Sequence, residues 1–544
     1  MRALIAIVLV ATLTGCASLP VSGPVRIGPD LATPTDGNSF YYSPASPVDG
    51  ATETEILSGF ISAGTAPQND YSIAREFLDE SIRATWNPNQ ELLIQRTTPK
   101  ITLTDTGTAL VEVSVAARID ANGRYETLPA GSTRVLEYTF TEQAGQVRID
   151  SAPDVTMVIR PVFDVVFRSY SIFFLDKSKK NLVPELRWFP ANPATGTKLV
   201  KALLAGPSSW LEPAVISAIP TGTVLSTDAV TVQEEIALVD LSARALVAGL
   251  SDRSLMKAQL VATLSQLPTI TEVAISIERS AQDIPASQVK PSVATSGTLL
   301  AVGQNGLEAL SGSNPDSFAK GLSFFSSRTV SKLAASKAGD KLAALTESGV
   351  SETALAAPGS SVEVVDPRSP LAGLEYDLLS NLWLATGSQV SVNSRPLQSS
   401  WLAGQSIVDF SLSPEGSRVA LVVTTGGSNQ VLIAPVIRDG NGVPIQLAEP
   451  LAIGSEIDNP VRLSWFDSVT VAIVNDQPDL ASIALVSIGG TTRLIQGVAD
   501  VRSLVALGDG TNLYALKDSG ELVVYRGSFW SSLESSISAI ALAR

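Results

Sequence analysis

The side chain with the most distinctive chemistry in this sequence is the thiol of Cys16, because the 544 residues contain no other cysteine. It ends the motif Leu13-Thr14-Gly15-Cys16. The apolar run before this motif begins just after Arg2 and is shorter than the roughly 20 residues that span a bilayer. A secretory signal peptide typically has a positive residue, a short apolar run and small residues before the cleavage site. We predict a signal peptide over residues 1–15.

The motif resembles the lipobox of bacterial lipoproteins, formed here by Leu13, Thr14 and Gly15 before the cysteine. The resemblance implies that a diacylglyceryl group is attached through the sulfur of Cys16 and that the peptide is cut before it. Two acyl chains hold a protein stably on a bilayer, whereas a single chain binds only marginally. The alternative is an ordinary signal peptide with an incidental cysteine, and the position of the single cysteine favours lipid attachment.

Composition excludes several classes of function. With 38 basic and 53 acidic residues, the formal net charge is -15, so phosphate backbones and anionic lipid surfaces repel the chain, and we expect no nucleic-acid partner. The sequence has no histidine, which excludes a Ser-His-Asp triad and any histidine-ligated zinc site. We therefore predict no catalytic, cofactor-binding or metal-binding residues, and no cofactor. The length suggests about three or four domains.

The first ordered domain is predicted over residues 50–176, after a tether rich in Pro and Gly over residues 16–49. Thr52 and Glu55 fit a capping box, and Gly64 is placed to end the helix that follows. A second helix is predicted from Asp70 to about Trp86. Alternating strands come next, with these inward residues: Val111, Val113, Val115, Leu136, Tyr138 and Phe140. Helices followed by a meander indicate an α+β domain, and this order resembles the NTF2-like superfamily.

Residues 177–288 alternate helices and strands. We predict a helix over Thr195–Ala205, a strand over Ile236–Leu241 and a closing strand through Val273. Ser251 or Asp252 is predicted to cap the second helix. Four blocks resemble the GerMN domain in sequence and order: Leu199–Pro207, Ala218–Thr223, Val239–Ser242 and Ala258–Leu264. Each block also has a structural interpretation, which we favour. Residues Gly206 and Pro207 end a helix, Pro220 and Gly222 form a turn, and Asp240 or Ser242 bonds local backbone.

The region 291–544 repeats a polar turn followed by an apolar strand. Equivalent strand positions are Leu299, Leu342, Leu382, Val419, Val469 and Leu513. Their separation is near the roughly 40 to 50 residues of a propeller blade. We predict a β-propeller of about six blades, with two stacked β-sandwiches as the alternative. The predicted fold is thus multidomain, with α+β, α/β and all-β parts.

Propellers also host glycosidases, which need two carboxylates at roughly 5 to 10 Å across a scissile bond. The available carboxylates are Asp377, Asp409, Glu415, Asp467 and Asp509. Most lie in or beside turns, where acidic residues usually stabilise the turn. The available tryptophans are Trp383, Trp401, Trp465 and Trp530, and we expect them to be buried blade residues.

The order of lipobox, tether, NTF2-like domain, GerMN blocks and propeller resembles the actinobacterial LpqB lipoprotein family over nearly the whole exported chain. The resemblance implies a protein that is not an enzyme, anchored to the cell membrane through acylated Cys16 on its extracytoplasmic face. It also implies that the partner is the extracytoplasmic domain of a sensor histidine kinase of the MtrB type, whose signalling the protein modulates. The alternatives are an envelope glycan-binding protein or hydrolase acting through the propeller, and a structural lipoprotein that contacts the cell wall.

Overall fold

The structure is a computed structural model, and it describes residues 44–105, 107–291, 298–304, 306–311, 329–336, 340–354, 362–477, 481–508 and 510–543. Residues Pro44–Arg544 form one compact unit. The predicted signal peptide, the lipobox with Cys16 and most of the predicted tether lie outside the described residues.

The N-terminal region combines short helices with a curved sheet. Its helices are α1 (Glu53–Ala63), α2 (Ser72–Glu76), α3 (Glu80–Arg83) and α4 (Arg160–Val166). Its strands are β1 (Glu91–Gln95), β2 (Lys100–Leu103), β3 (Thr108–Asp120), β4 (Tyr125–Thr127), β5 (Thr133–Gln143), β6 (Gln146–Ser151) and β7 (Val155–Ile159). The sheet order is β6-β5-β3-β1-β7, with β2 and β4 paired to β3. Alternate residues of β3 point into the core against α1, as the period of two in Val111, Val113 and Val115 predicts.

The start of α1 confirms the predicted capping box. The backbone N–H of Thr52 donates to the Glu55 carboxylate at 2.8 Å, and the Glu55 N–H donates back to Oγ1 of Thr52 at 3.4 Å. Two donors that the first turn leaves unpaired are thereby satisfied. Gly64 ends the helix, as predicted.

The single helix predicted from Asp70 to Trp86 is wrong. A 3₁₀ turn (Gln68–Asp70) precedes α2, and Tyr71 between them adopts a left-handed conformation with φ 58°. The chain then pairs with the sheet, because the N–H of Ile149 donates to Phe77 O and the N–H of Asp79 donates to Ile149 O. Asp79 caps α3 as a separate helix. These tertiary backbone bonds replace the helical bonds that the apolar spacing alone favours.

The second core is built on two small sheets and two helices. Its strands are β8 (Phe167–Asp176), β9 (Leu182–Pro190), β10 (Val215–Ile216), β11 (Thr231–Gln233), β12 (Ile236–Leu241), β13 (Glu272–Ile277) and β14 (Ser280–Ala281). Its helices are α5 (Thr195–Ala205), α6 (Leu250–Leu264) and the 3₁₀ helices Glu212–Ala214 and Ala243–Val247. One sheet has the order β10-β8-β9 and the other β11-β12-β13-β14.

The predicted bounds of α5 and β12 agree with the structure, and Gly206 ends α5 at φ 85°. The predicted cap of the second helix is wrong: Gly249 occupies the N-cap, and Asp252 lies in the first turn, where it pairs with Lys179. The structure also places β8 in the second core, although the sequence assigns residues up to 176 to the first domain. Ile172 and Phe174 of β8 are fully buried in that core, because β8 forms a long antiparallel hairpin with β9.

The C-terminal region consists of six sheets among the described residues, which we number as blades. Blade 1 contains β15 (Thr298–Gly303), β16 (Gly306–Ser311) and β38 (Ala539–Ala543). Blade 2 contains β17 (Lys332–Ala335), β18 (Lys341–Thr346), β19 (Gly349–Ala354) and β20 (Glu363–Asp366). Blade 3 contains β21 (Gly373–Tyr376), β22 (Leu382–Thr386), β23 (Gln389–Val392) and β24 (Arg395–Pro396).

The other three blades complete the ring. Blade 4 contains β25 (Ser406–Leu412), β26 (Arg418–Thr425), β27 (Ser428–Arg438), β28 (Pro444–Leu447) and β29 (Leu451–Ile453), preceded by the 3₁₀ helix Ser400–Leu402. Blade 5 contains β30 (Pro460–Trp465), β31 (Thr470–Asn475), β32 (Ser482–Ser487) and β33 (Thr492–Ile495). Blade 6 contains β34 (Val501–Ala506), β35 (Asn512–Lys517), β36 (Leu522–Arg526) and β37 (Trp530–Glu534).

The ring closes through the last strand of the chain. β38 pairs antiparallel with β15 and becomes the inner strand of blade 1, where it contacts the inner strands β17 and β34 of the two neighbouring blades. The predicted strand positions fall on the second strand of their blades, except that Val469 lies just before β31. A ring of blades, rather than two stacked sandwiches, removes open sheet edges without a disulfide.

A buried carboxylate joins blades 2 and 3 and carries a pH-dependent share of their stability. The Arg368 guanidinium donates to both oxygens of Asp366, at 2.8 and 2.5 Å, and the Ser394 hydroxyl donates at 2.9 Å. These bonds, opposed by burial, lower the pKa of Asp366 from its ordinary 3.8 to about 2. Because the folded pKa is the lower one, the ionised form stabilises the fold above about pH 4, and this stabilisation is lost as the pH falls through about 2.

We therefore expect Asp366→Asn to lower the free energy of unfolding by about 1 kcal/mol at pH 7. The difference from the wild type should shrink steadily between pH 4 and pH 2, measured by denaturant unfolding. Asp518→Asn, at an exposed site, serves as the control. A difference that stays constant over this range would contradict the assignment.

Candidate functional site: the interdomain joint and the propeller channel

Strand β9 connects the second core to the propeller through a buried arginine. Arg418 of β26 is 1% exposed and pairs with Glu415 at 2.8 Å. The same guanidinium donates to the carbonyl of Pro184 in β9 at 3.3 Å and to that of Ser468 at 2.6 Å. It also lies 4.8 Å from the ring centroid of Trp465, within cation–π range. One side chain thus holds β9, blade 4 and blade 5 together.

Trp188 of β9 makes the second connection and reaches all three parts of the chain. Its indole N–H donates to the carbonyl of Gly489 in blade 5 at 2.9 Å. Its ring centroid lies 4.9 Å from that of Phe163 and 5.9 Å from that of Tyr125, both in the N-terminal region. Its backbone N–H donates to the carbonyl of Gly123 at 2.8 Å. Phe163, Phe167 and Trp188 therefore belong to one apolar cluster shared by the first two domains.

Two further contacts support this interdomain joint. Arg124 donates to the carbonyls of Gly206 and Pro207 at 3.3 and 3.1 Å, at the end of α5. Trp210 packs against the second core and also against the apolar layer between blades 4 and 5. The described domains are therefore fixed to one another by buried contacts. Sequence reasoning did not single out Trp188 or Arg418, because their partners lie far away in the sequence.

The propeller encloses a central cavity of about 390 Å³, lined by the inner strands of the blades. Five of these strands each place one charged side chain at the cavity wall: Lys332 (blade 2), Glu375 (blade 3), Asp409 (blade 4), Arg462 (blade 5) and Arg502 (blade 6). Blade 1 contributes apolar residues, among them Ile540 and Leu542. The cavity is therefore polarised, with carboxylates on blades 3 and 4 and guanidinium groups on blades 5 and 6.

The two carboxylates of the cavity also tie neighbouring blades together. Glu375 accepts a bond from the N–H of Leu412 at 2.8 Å, and Asp409 accepts one from the N–H of Leu463 at 2.8 Å. Burial raises the pKa of Asp409, while Lys332 and Arg462 nearby oppose the rise. Burial likewise lowers the pKa of Lys332, opposed by Asp409. The lysine and the carboxylates of this side of the cavity therefore compensate each other's charge.

The arginines on the other side donate only to main-chain carbonyls among the described residues. Arg462 donates from Nε to Arg502 O at 2.8 Å and from Nη1 to Val461 O at 2.7 Å. Arg502 donates from Nη2 to Ile537 O at 3.1 Å, and its buried Nε has no hydrogen-bond partner in the described parts of the chain. A buried, unsatisfied donor is uncommon in a folded protein.

Two of the carboxylates considered for hydrolysis, Asp377 and Asp409, line the central cavity. Asp377 is paired with Arg438, Glu415 with Arg418, and Asp467 accepts the N–H groups of Val469 and Thr470 in a turn. Asp409 faces the central cavity, and Asp509 lies outside the described residues. Glu375 was not anticipated, since nothing in its local sequence distinguishes it. The hydrolase alternative stays a prediction.

Two of the four tryptophans are fully buried, as we expected for all four. Trp383 and Trp465 are fully buried within their blades. Trp401 is partly buried and donates to the carbonyl of Leu447, and Trp530 is partly buried and donates to that of Gln496.

The residues of the four predicted blocks in the second domain hold its framework. Oδ1 of Asp240 accepts bonds from the Ser276 hydroxyl and the Arg279 N–H, at 2.6 and 2.9 Å. The Ser242 hydroxyl accepts the N–H of Val224. The buried Gln259 accepts the N–H of Ala218 and donates to Phe173 O, which fixes α6 on β8. These contacts support the structural interpretation of the blocks.

An apolar patch lies at one end of the second domain, on the 3₁₀ helix Ala243–Val247 and the start of α6. It consists of Val224, Leu246, Val247 and Leu250, and Leu250 is 78% exposed. Ser242 bonds the backbone of Val224 in both directions, which brings this residue beside the 3₁₀ helix. The exposed Arg244 lies in the same helix. Clustered exposed apolar side chains are characteristic of interaction surfaces. We call this set the apolar patch.

In the part of the chain that the structure describes, no group of three or more acidic, histidine or cysteine side chains is placed to hold a metal ion. Among the same residues, no helix has the length and apolar character needed to cross a membrane.

The fold defines a class of proteins in which two small mixed domains are fixed to a β-propeller. Three family models match the chain in this order: the N-terminal domain of lipoprotein LpqB over residues 46–164, the sporulation and spore germination domain over residues 171–283, and the β-propeller domain of lipoprotein LpqB over residues 309–539. The chain belongs to the LpqB lipoprotein family. The resemblance inferred from the lipobox and the order of modules is confirmed.

Two relatives named lipoprotein LpqB are similar to this chain along most of their length. The protein of Cutibacterium acnes is 25% identical over 97% of this chain and 97% of its own. That of Bifidobacterium longum is 26% identical over 87% of this chain and 85% of its own. Among solved structures, TolB from Acinetobacter baumannii superposes with a TM-score of 0.35 at 13% identity, covering 45% of this chain and 66% of that one. The first GerMN domain of the Bacillus subtilis sporulation protein GerM gives 0.19 at 18% identity, covering 23% of this chain and 97% of that one.

Proposed function

We propose that this protein is held on the extracytoplasmic face of the cell membrane by acyl chains on Cys16. Its folded body then binds the extracytoplasmic domain of a sensor histidine kinase of the MtrB type and modulates its signalling, in support of cell-envelope homeostasis. Membership of a lipoprotein family supports the anchor, and the resemblance noted in the sequence supports the partner.

Physical arguments favour an anchored binding protein. The net charge of -15 opposes adsorption of the body to anionic lipid, so acyl chains are the natural means of attachment. Confinement to the membrane plane raises the effective concentration of the protein near a membrane kinase. A predicted tether of some thirty residues reaches about 3 Å per residue when extended, which is enough to lift the body clear of the headgroups.

The apolar patch is the observation that carries the docking proposal. Its side chains are exposed on a domain that Trp188 and Arg418 fix to the propeller. A partner that binds the patch therefore contacts a body whose domains do not have to be ordered first, which reduces the entropic cost of association. The Leu and Val side chains that the partner buries contribute a favourable free energy of binding.

We expect the double variant Val247→Asp with Leu250→Asp to weaken binding to the external kinase domain at least tenfold, because two carboxylates would be desolvated in the interface. Binding is measured by calorimetry with the full chain in detergent. Leu494→Asp is the matched control, since Leu494 is 68% exposed on the outer strand of blade 5 and lies outside the patch.

Two results would count against the proposal. Absence of wild-type binding at high micromolar concentration would contradict the partner. Equal loss of binding in the control and in the double variant would contradict the apolar patch as the contact surface. Crosslinking in intact cells, followed by identification of the captured protein, tests the partner independently of the purified system.

A further inference from the structure

The two arginines of the propeller channel, Arg462 and Arg502, form the arginine pair and have no ion-paired carboxylate among the described residues. Asp409 lies close enough to interact electrostatically with Arg462 but forms no ion pair with it. Neither side chain forms an ion pair with any carboxylate in the described parts of the chain. By contrast, other arginines of the propeller interior are paired, Arg418 with Glu415 and Arg438 with Asp377. Both side chains are half-buried, and a guanidinium group that is partly removed from water is costly unless its charge is compensated.

The two arginines lie on neighbouring blades and are close together, because Nε of Arg462 donates to the carbonyl of Arg502. Their remaining donors include Nη2 of Arg462, Nη1 of Arg502 and the buried, unpartnered Nε of Arg502. Adjacent guanidinium donors match the two oxygens of a planar carboxylate, and such charge-assisted bonds are the strong ones.

The shape and charge of the cavity narrow the choice of anion. Its volume of about 390 Å³ falls within the range of small-molecule sites, and Leu333, Leu504 and Ile540 give it apolar walls. Glu375 and Asp409 face the cavity from the other side. They disfavour a doubly charged phosphate more than a singly charged carboxylate.

We propose that the propeller channel is a ligand site in which the arginine pair binds the carboxylate of a small organic acid or of a peptide C-terminus. The apolar walls contact the rest of the ligand. This site is distinct from the apolar patch, and the proposal does not depend on the kinase partner.

The test uses the full chain in detergent and titration calorimetry with four probes: butyrate, acetyl-Ala-Leu with a free carboxylate, the same dipeptide as its amide, and inorganic phosphate. We expect millimolar or tighter binding of at least one of the two carboxylate probes and no binding of the amide. Binding of the peptide acid identifies a chain end as the ligand, and binding of butyrate alone identifies a free acid. Equal binding of acid and amide, binding of phosphate alone, or no binding at 10 mM overturns the proposal.

Variants locate the bound carboxylate. Arg502→Gln should weaken binding of the carboxylate probe at least tenfold, whereas Arg493→Gln, at an exposed position on β33, should leave it unchanged. Arg462→Lys and Arg502→Lys keep the charge and are expected to fold, and each should weaken binding because lysine cannot form the bidentate bond. Wild-type affinity in both lysine variants overturns the assignment to the arginine pair.

Discussion

Replacing Arg418 by methionine is expected to lower the free energy of unfolding by about 3–5 kcal/mol. Methionine retains the apolar stem over Trp465 but leaves Glu415 as an unpaired carboxylate whose side chain is only 1% exposed. The substitution also removes the bonds to Pro184 and Ser468, which join the second domain and blade 5 to blade 4. Loss of charge compensation at Glu415 and loss of the interdomain bonds both lower the free energy of unfolding.

Denaturant unfolding followed by tryptophan fluorescence measures the effect of Arg418→Met. Adding Glu415→Gln should recover part of the stability, because the second substitution removes the uncompensated charge. Arg526→Met, at an exposed site on β36, is the matched control and should change the free energy of unfolding by less than about 0.5 kcal/mol. If Arg418→Met proves as stable as this control, Arg418 does not hold the interdomain joint.

Replacing Cys16 by serine is expected to remove essentially all of the protein from the membrane fraction, either as released chain or as uncleaved precursor. The hydroxyl of serine does not accept the diacylglyceryl group that the resemblance assigns to the cysteine sulfur. Each buried CH₂ of an acyl chain contributes about 0.8 kcal/mol to membrane binding, so loss of two chains removes the whole anchor. The net charge of -15 gives the body no alternative attraction to anionic lipid.

Membrane fractionation with mass spectrometry of the N-terminus measures both processing and attachment. Ser18→Ala should behave as the wild type. Combining Cys16→Ser with Ser18→Cys restores a thiol two residues further along, but we expect no anchoring, because Gly15 instead of Leu13 then lies three residues before the cysteine and the lipobox is lost. Unchanged fractionation of Cys16→Ser with normal processing would refute lipid attachment.

Elements whose residues face a single core were predicted well. The helix over Thr195–Ala205, the strand over Ile236–Leu241 and the capping box at Thr52 each depend on periodicity or on neighbours within four residues. The prediction of one helix over residues 70–86 was wrong because partners distant in the sequence decide the structure of this segment. Backbone bonds between Phe77, Asp79 and Ile149 override its local spacing, and such bonds join residues about seventy positions apart.

The candidate sites were mostly beyond the reach of the sequence. The arginine pair brings together residues 462 and 502 because blades 5 and 6 are neighbours in the ring, and neither position carries a local motif. The apolar patch contains leucine and valine residues whose types alone predict burial, and only the packing of the second domain leaves them exposed. By contrast, the lipobox is a local motif, and so the sequence alone is enough to predict Cys16 as the site of lipid attachment.

Taken by itself, the sequence determined the family, the order of the domains and the predicted anchor, because a signal peptide, amphipathic periods and repeated turns are encoded by residues close together. Tertiary structure decided how the domains are joined and which charged side chains, such as the arginine pair, have no ion-pair partner among the described residues. The bond from Arg418 to Pro184 spans 234 residues, and Trp188 contacts groups from three domains. Such contacts depend on the relative placement of complete domains, which the pattern within any one segment does not specify.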